Sequence, residues 1–170
     1  MIHEAFIAAG SNVGDRLSHL TQARALLSET PGIEQLASSG TYETKPVGGP
    51  PQGAYLNAVW QIQTNLAAEA LLRLLLAIEH EQGRIRAEKN GPRTLDLDVL
   101  DFDGQILNQP GLALPHPRMH ERWFVLKPLS DLNPEWRHPR LGQTAAELLA
   151  EIEKKSPELT GAEVEMGERA

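Results

Sequence analysis

The chain of 170 residues is predicted to form an α+β domain. Three observations point to it: two stretches with a helical period, four extended stretches of alternating or continuous apolar residues, and helices that follow the first and third strands only.

Ala5 to Ala8 is a short apolar run that reads as a buried strand. Asp15 stands where a helix N-cap belongs, and Leu17, Leu20, Ala23 and Leu27 recur on one face behind it. Residues from about Ile33 to Thr44 form a second extended stretch. In the third, Leu56 to Thr64, Ala58, Trp60 and Ile62 alternate with Val59, Gln61 and Gln63, and the two are expected to pair. Ala67 to Gln82 has a helical stripe at Leu71, Leu74, Leu75 and Ile78, and Gly83 supplies a C-terminal stop. Leu95 to Phe102 is the fourth strand. The order β-α-β-β-α-β is that of the ferredoxin-like split βαβ arrangement, an antiparallel sheet with both helices on one face. Asp103-Gly104 suits a hairpin turn, because both central residues of a type I′ turn need positive φ. Pro115 to Asp131 reads as short helices and turns, and Thr144 to Lys155 as a last amphipathic helix. Residues 1–155 are therefore expected to be one domain with an added β-hairpin and C-terminal helices. Residues 156–170, acidic and poor in large apolar side chains, are expected to fray.

A hydrophobic fraction of 41% and a charged fraction of 23% are those of an ordinary soluble globule. No secretion signal is visible, since His3 and Glu4 interrupt the start, and Glu69 and Arg73 break the run from Leu66 to Ile78. The absence of cysteine excludes disulfide and thiol chemistry and fits a cytoplasmic location. A net charge of -7 argues against a nucleic-acid partner, which needs a broad basic face.

The chemistry concentrates in GPRTLDLDVLDFDG, residues 91–104. On a strand, Leu95, Leu97 and Val99 share one face while Asp96 and Asp98 share the other. Residues two apart lie roughly 6 to 7 Å from each other. Two carboxylates that close repel, so a cation is a natural third party; a solvent-facing polar edge is the alternative. Asp101 falls on the apolar parity near the strand end and is expected to be solvated there. Two loops accompany this strand. TKPVGGPPQG, residues 44–53, reads as a long hairpin connection or as a pocket wall made of backbone groups. GRIRAEKNGPR, residues 83–93, carries Arg84, Arg86, Lys89 and Arg93 against one acid, Glu88. Cations placed directly before two aspartates suit a polyphosphate held with Mg²⁺.

Other sites are argued against. GSNVGDR, residues 10–16, lacks the Gly-Lys-Ser/Thr ending of a P-loop. His116 and His120 have the spacing of a helical zinc pair, but no Glu stands between them and Pro117 follows the first. No G-x-S-x-G elbow occurs.

NGPRTLDLDVL resembles the signature of 6-hydroxymethyl-7,8-dihydropterin pyrophosphokinases, and FIAAGSN, TYETKPVG, YLNAV, EHEQGRIR and PHPRMHERWFVLKPL follow the same family in matching order, from about Phe6 to Leu132. The resemblance implies transfer of the β,γ-pyrophosphoryl group of ATP to the hydroxymethyl of the dihydropterin, giving AMP, in folate biosynthesis. It implies that Asp96 and Asp98 coordinate two Mg²⁺ and that Arg84 and Arg93 contact phosphate. Glu79, Arg86, Lys89, Val99, His116 and Arg122 are implied to lie at the nucleotide. Tyr55 and Phe124 would sandwich the pterin, with Asn57, Thr44 and backbone groups around Val47 as its hydrogen-bonding partners. Many members place an arginine and a large aromatic before Gly-Pro-Arg, where this chain has Lys89 and Asn90; a lid formed by this loop would lean on charge instead. A monomer acting on two small molecules, with no membrane or nucleic-acid partner, is expected. The competing readings are a ferredoxin-like module that binds a ligand without chemistry and a protein-interaction domain.

Overall fold

The computed structural model describes residues 1–46, 52–83 and 94–164. The chain runs β1 (His3–Ser11), α1 (Arg16–Glu29), β2 (Ile33–Ser38), β3 (Tyr42–Thr44), β4 (Tyr55–Thr64), α2 (Ala68–Glu81) and β5 (Asp96–Phe102). A hairpin of β6 (Leu107–Gln109) and β7 (Leu112–Leu114) follows, then a 3-10 turn at Met119–Glu121, α3 (Trp123–Leu132), α4 (Ala145–Lys155), a 3-10 turn at Pro157–Leu159 and β8 (Ala162–Glu163). Among the described residues no helix is long and apolar enough to cross a membrane.

The main sheet has the order β5-β1-β4-β3-β8, with β2 also on β4, and every pairing is antiparallel. This is the α+β arrangement expected from the sequence. The extended stretch from Ile33 to Thr44 is two strands rather than one: β2 and β3 take successive parts of β4, and at the break Ser39 keeps its place through Oγ, which accepts from the Val59 N–H at 2.8 Å.

Side-chain period assigns the two faces. Ala5, Ile7, Ala9, Trp60, Ile62, Leu97 and Val99 pack against Leu20, Ala23 and Leu27 of α1 and Leu71, Leu75 and Ile78 of α2. Asp15 caps α1 as expected, its side chain accepting from Ser18 N–H, and Gly83 ends α2 at φ +81°. The opposite face, with Phe6, Val59 and Leu100, is covered by Val125 and Leu129 of α3 and by Trp136. The region expected as short helices and turns thus holds a three-turn helix, whose apolar side chains have a sheet face to cover.

Three further expectations are corrected. Asp101 is buried, not solvated: a register shift aligns Ile7 with Val99 but Phe6 with Asp101, so Asp101 leaves the Leu97/Val99 face and joins Phe6 on the face that Trp136 covers. Its Oδ2 accepts from Gly104 N–H at 3.3 Å, and burial raises its pKa against hydrogen bonds from Gly104 and Trp136. Asp103 and Gly104 do form a turn with positive φ, but it does not join a hairpin, because β6 pairs with β7 and not with β5. Residues 156–164 are folded rather than frayed, with β8 pairing with β3.

Candidate active site

The candidate site lies at the end of the second sheet face that only the first turn of α3 reaches. There β1 carries Ala8 and Gly10, whose cross-strand partners are Asp98 and Asp96 on one side and Val59 and Asn57 on the other. Small residues on the central strand leave open the space that larger neighbours would fill. The result is a cavity of about 530 Å³. Asp96 and Asp98 line it, as the strand parity required, while Leu97 between them is buried.

Gly10 leaves little room for a side chain. A Cβ there would stand 3.2 Å from Oδ1 of Asn57. Asn57 is buried, and its Nδ2 donates to Thr44 Oγ1 at 2.9 Å and to the Tyr42 carbonyl at 3.4 Å. With the amide nitrogen committed to β3, the acceptor oxygen is held over Gly10. Thr44, Asn57, Tyr55 and Phe124 all line the cavity, so the four side chains expected on the pterin side are brought together. Phe124 is presented by the first turn of α3, with the Arg122 guanidinium 5.6 Å from its ring centre.

His116 and Arg122 also line the cavity. Burial, with the Arg122 charge second, lowers the pKa of His116 to about 4, and Asp96 opposes that shift. The ring is neutral at pH 7. Its Nδ1 faces the Arg118 N–H at 3.2 Å and accepts from it, which leaves the proton on Nε2. His120 does not join it: that ring meets His138 edge-on at 6.0 Å.

Two expected nucleotide residues lie elsewhere. The Val99 side chain is in the core against α1 and α2 and does not line the cavity, because its parity is that of Leu97. Glu79 is buried beneath β5, where its Oε2 accepts the Leu97 N–H at 2.7 Å. It braces the aspartate strand from below. Val47 and the cations Arg84, Arg86, Lys89 and Arg93 lie outside the described residues.

The sequence reading missed Gln52, Lys45, Glu158 and Leu159, which line the cavity. Asn12 Nδ2 donates to Gln52 Oε1 at 2.7 Å and to the Gly53 carbonyl at 3.1 Å, tying the end of the Pro/Gly loop to the β1–α1 connection. Gln52 stands inside a quoted motif and could have been found. Glu158 and Leu159 could not, since their segment shows no period.

Among the described residues no cluster of three or more His, Cys, Asp or Glu could hold a metal. Two carboxylates facing a cavity nonetheless fit Mg²⁺, which is commonly bound by one or two carboxylates with phosphate oxygens and water completing the shell.

Residues 6–134 match the family model described as 7,8-dihydro-6-hydroxymethylpterin-pyrophosphokinase (HPPK). A 2-amino-4-hydroxy-6-hydroxymethyldihydropteridine pyrophosphokinase of Synechocystis sp. is 42% identical over 151 residues, covering 89% of this chain and 77% of that protein. One of Bacillus subtilis is 46% identical over 128 residues, covering 75% of this chain and 77% of that protein. Among solved structures, Plasmodium falciparum HPPK-DHPS, wild type with pterin and p-hydroxybenzoate, superposes with a TM-score of 0.72 at 15% identity. That match covers 92% of this chain and 43% of the other, so this chain spans less than half of the solved protein and the likeness concerns the fold. The extent of the family match and the identity to these relatives show that this chain belongs to the 7,8-dihydro-6-hydroxymethylpterin-pyrophosphokinase family and is an enzyme, a pyrophosphokinase.

Proposed function

We propose that this enzyme transfers the β,γ-pyrophosphoryl group of ATP to the hydroxymethyl oxygen of 6-hydroxymethyl-7,8-dihydropterin, in folate biosynthesis. The hydroxyl oxygen bonds to Pβ, the bond from Pβ to the oxygen bridging to Pα breaks, AMP leaves, and the hydroxyl proton passes to solvent. The observation that carries this reading is that Asp96 and Asp98 line the same cavity as Asn57, Thr44, Tyr55 and Phe124.

Each residue has a chemical task. Tyr55 and Phe124 offer π faces to a flat heterocycle. Asn57, fixed by Thr44, offers an acceptor to the pterin's N–H edge. His116, its Nδ1 taken by the Arg118 N–H, offers the Nε2 proton to a phosphate oxygen. Arg122, Arg84 and Arg93 offset phosphate charge. Mg²⁺, held as a pair of ions by Asp96 and Asp98, would supply neutralisation of the charge that builds on the phosphate oxygens. Arg86 and Lys89 add positive charge on the nucleotide side. We also place the enzyme in the cytoplasm, which a chain without cysteine fits, and expect it to act as a monomer.

The test is incubation with ATP, Mg²⁺ and the dihydropterin, with the nucleotide product identified. AMP in a ratio of one to each pterin diphosphate is expected, and EDTA should abolish it. ADP would identify an ordinary kinase, and no turnover would favour a ligand-binding module.

A further inference from the structure

The segment from Ser156 to Val164 packs where the proposed pterin side of the cavity is built. The 3-10 turn Pro157–Leu159 brings Glu158 and Leu159 into the cavity wall. Leu159 packs against the same cluster as Phe124, formed by Tyr42, Trp123, Leu126, Leu148 and Ile152. Beyond it, Ala162 and Glu163 pair with Glu43 and Tyr42, and Val164 N–H donates to the Thr41 carbonyl at 2.8 Å. The backbone of β3 is thus clamped along the edge that β4 does not use.

Gly161 makes the closest approach. A Cβ there would overlap the Glu43 carbonyl oxygen and stand 2.7 Å from Cγ2 of Thr44. No φ demands glycine at this position, so its requirement is one of space. Thr44 is the residue whose Oγ1 receives the Asn57 amide at 2.9 Å. The backbone of Gly161 lies on one side of the Thr44 side chain, and Asn57 is held from another.

From this contact chain we infer that the C-terminal segment 156–164 is a positioning element for pterin recognition, with Gly161 setting Thr44 and, through it, Asn57, while Leu159 backs the wall that Phe124 shares. The inference rests on the proposed function. The segment acts on one substrate. Asp96, Asp98 and His116, on β5 and after β7, are reached by none of these contacts.

Two variants test it: Gly161→Ala, which adds one methyl group, and a chain ending at Lys155. In steady-state assays of both, the pterin KM should rise about tenfold while the ATP KM stays within twofold. Calorimetry on each folded protein should show the same split, and this separates positioning from a general loss of structure. An unchanged pterin KM in both variants, or equal losses for pterin and ATP, would overturn the inference while leaving the pyrophosphokinase reading standing. No AMP from the intact chain with the dihydropterin would instead overturn that reading, and the inference with it.

Discussion

Leu97 is 4% exposed, yet the carboxylates on either side of it face the cavity. Substitutions at three consecutive positions should therefore separate. Asp96→Ala and Asp98→Ala should each lower kcat by on the order of a hundredfold or more with the melting temperature nearly kept, because neither side chain builds the core. Leu97→Ala should cost roughly 2 to 5 kcal/mol in denaturant unfolding. Near-normal turnover of a folded Asp98→Ala protein at saturating Mg²⁺ would remove Asp98 from the metal site. At Phe124, truncation to Ala should weaken pterin binding by about 1 to 3 kcal/mol, the scale of stacking on an aromatic ring, and ATP binding far less. Asp101 carries a pH dependence. Its pKa is raised by burial, so above the ordinary carboxylate value the native state holds more protons than the unfolded chain, and stability falls as pH rises through the raised value. Asp101→Asn should flatten this slope in denaturant unfolding measured from pH 4 upward. An unaltered slope would assign it to other groups.

At the scale of elements, β5 is an edge strand, and an edge N–H needs a partner that no neighbouring strand supplies. Glu79 of α2 meets this need at Leu97 N–H, midway between the two aspartates that line the cavity. Glu79→Ala should cost about 1 to 3 kcal/mol from the buried donor left without its acceptor. It should also lower kcat, since the strand holding both carboxylates loses its brace; unchanged kcat would confine Glu79 to stability. This element also shows how far sequence reading reaches. The alternation from Leu95 to Val99 was legible because period 2 is local. The burial of Asp101 beside Phe6 and Trp136 was not, because the register shift that moves it to that face is set by pairing with β1, about ninety residues away in sequence. Glu79, four residues before Gly83, was legible as important but not as a brace: a helix position does not say which strand lies above it.

Across the whole molecule, β4 joins the layers, pairing with β1 on one side and with β2 and β3 on the other. Trp60 at its centre is fully buried against the α1 and α2 layer. Trp60→Ala should therefore destabilise the protein by about 3 to 5 kcal/mol, and fluorescence and circular dichroism should report one shared transition, since one core serves both helices and the sheet. Separate transitions by the two probes would show that the layers unfold independently.

The sequence by itself determined the α+β class with helices after the first strand and before the aspartate strand, the capped helix after Asp15, the stop at Gly83, the family, and the face on which Asp96 and Asp98 stand. Each of these follows from local period, from a residue's own backbone preference, or from motifs in order along the chain. Tertiary structure alone decided what those faces meet. It placed α3 across most of the second sheet face and left the end beside Gly10 open, and it set Glu79 beneath β5. It also folded the acidic C-terminal segment onto β3, against its composition. Composition measures how much apolar surface a segment can bury by itself, but an exposed strand edge supplies backbone partners that ask nothing of the side chains beyond a glycine small enough to let the chains approach.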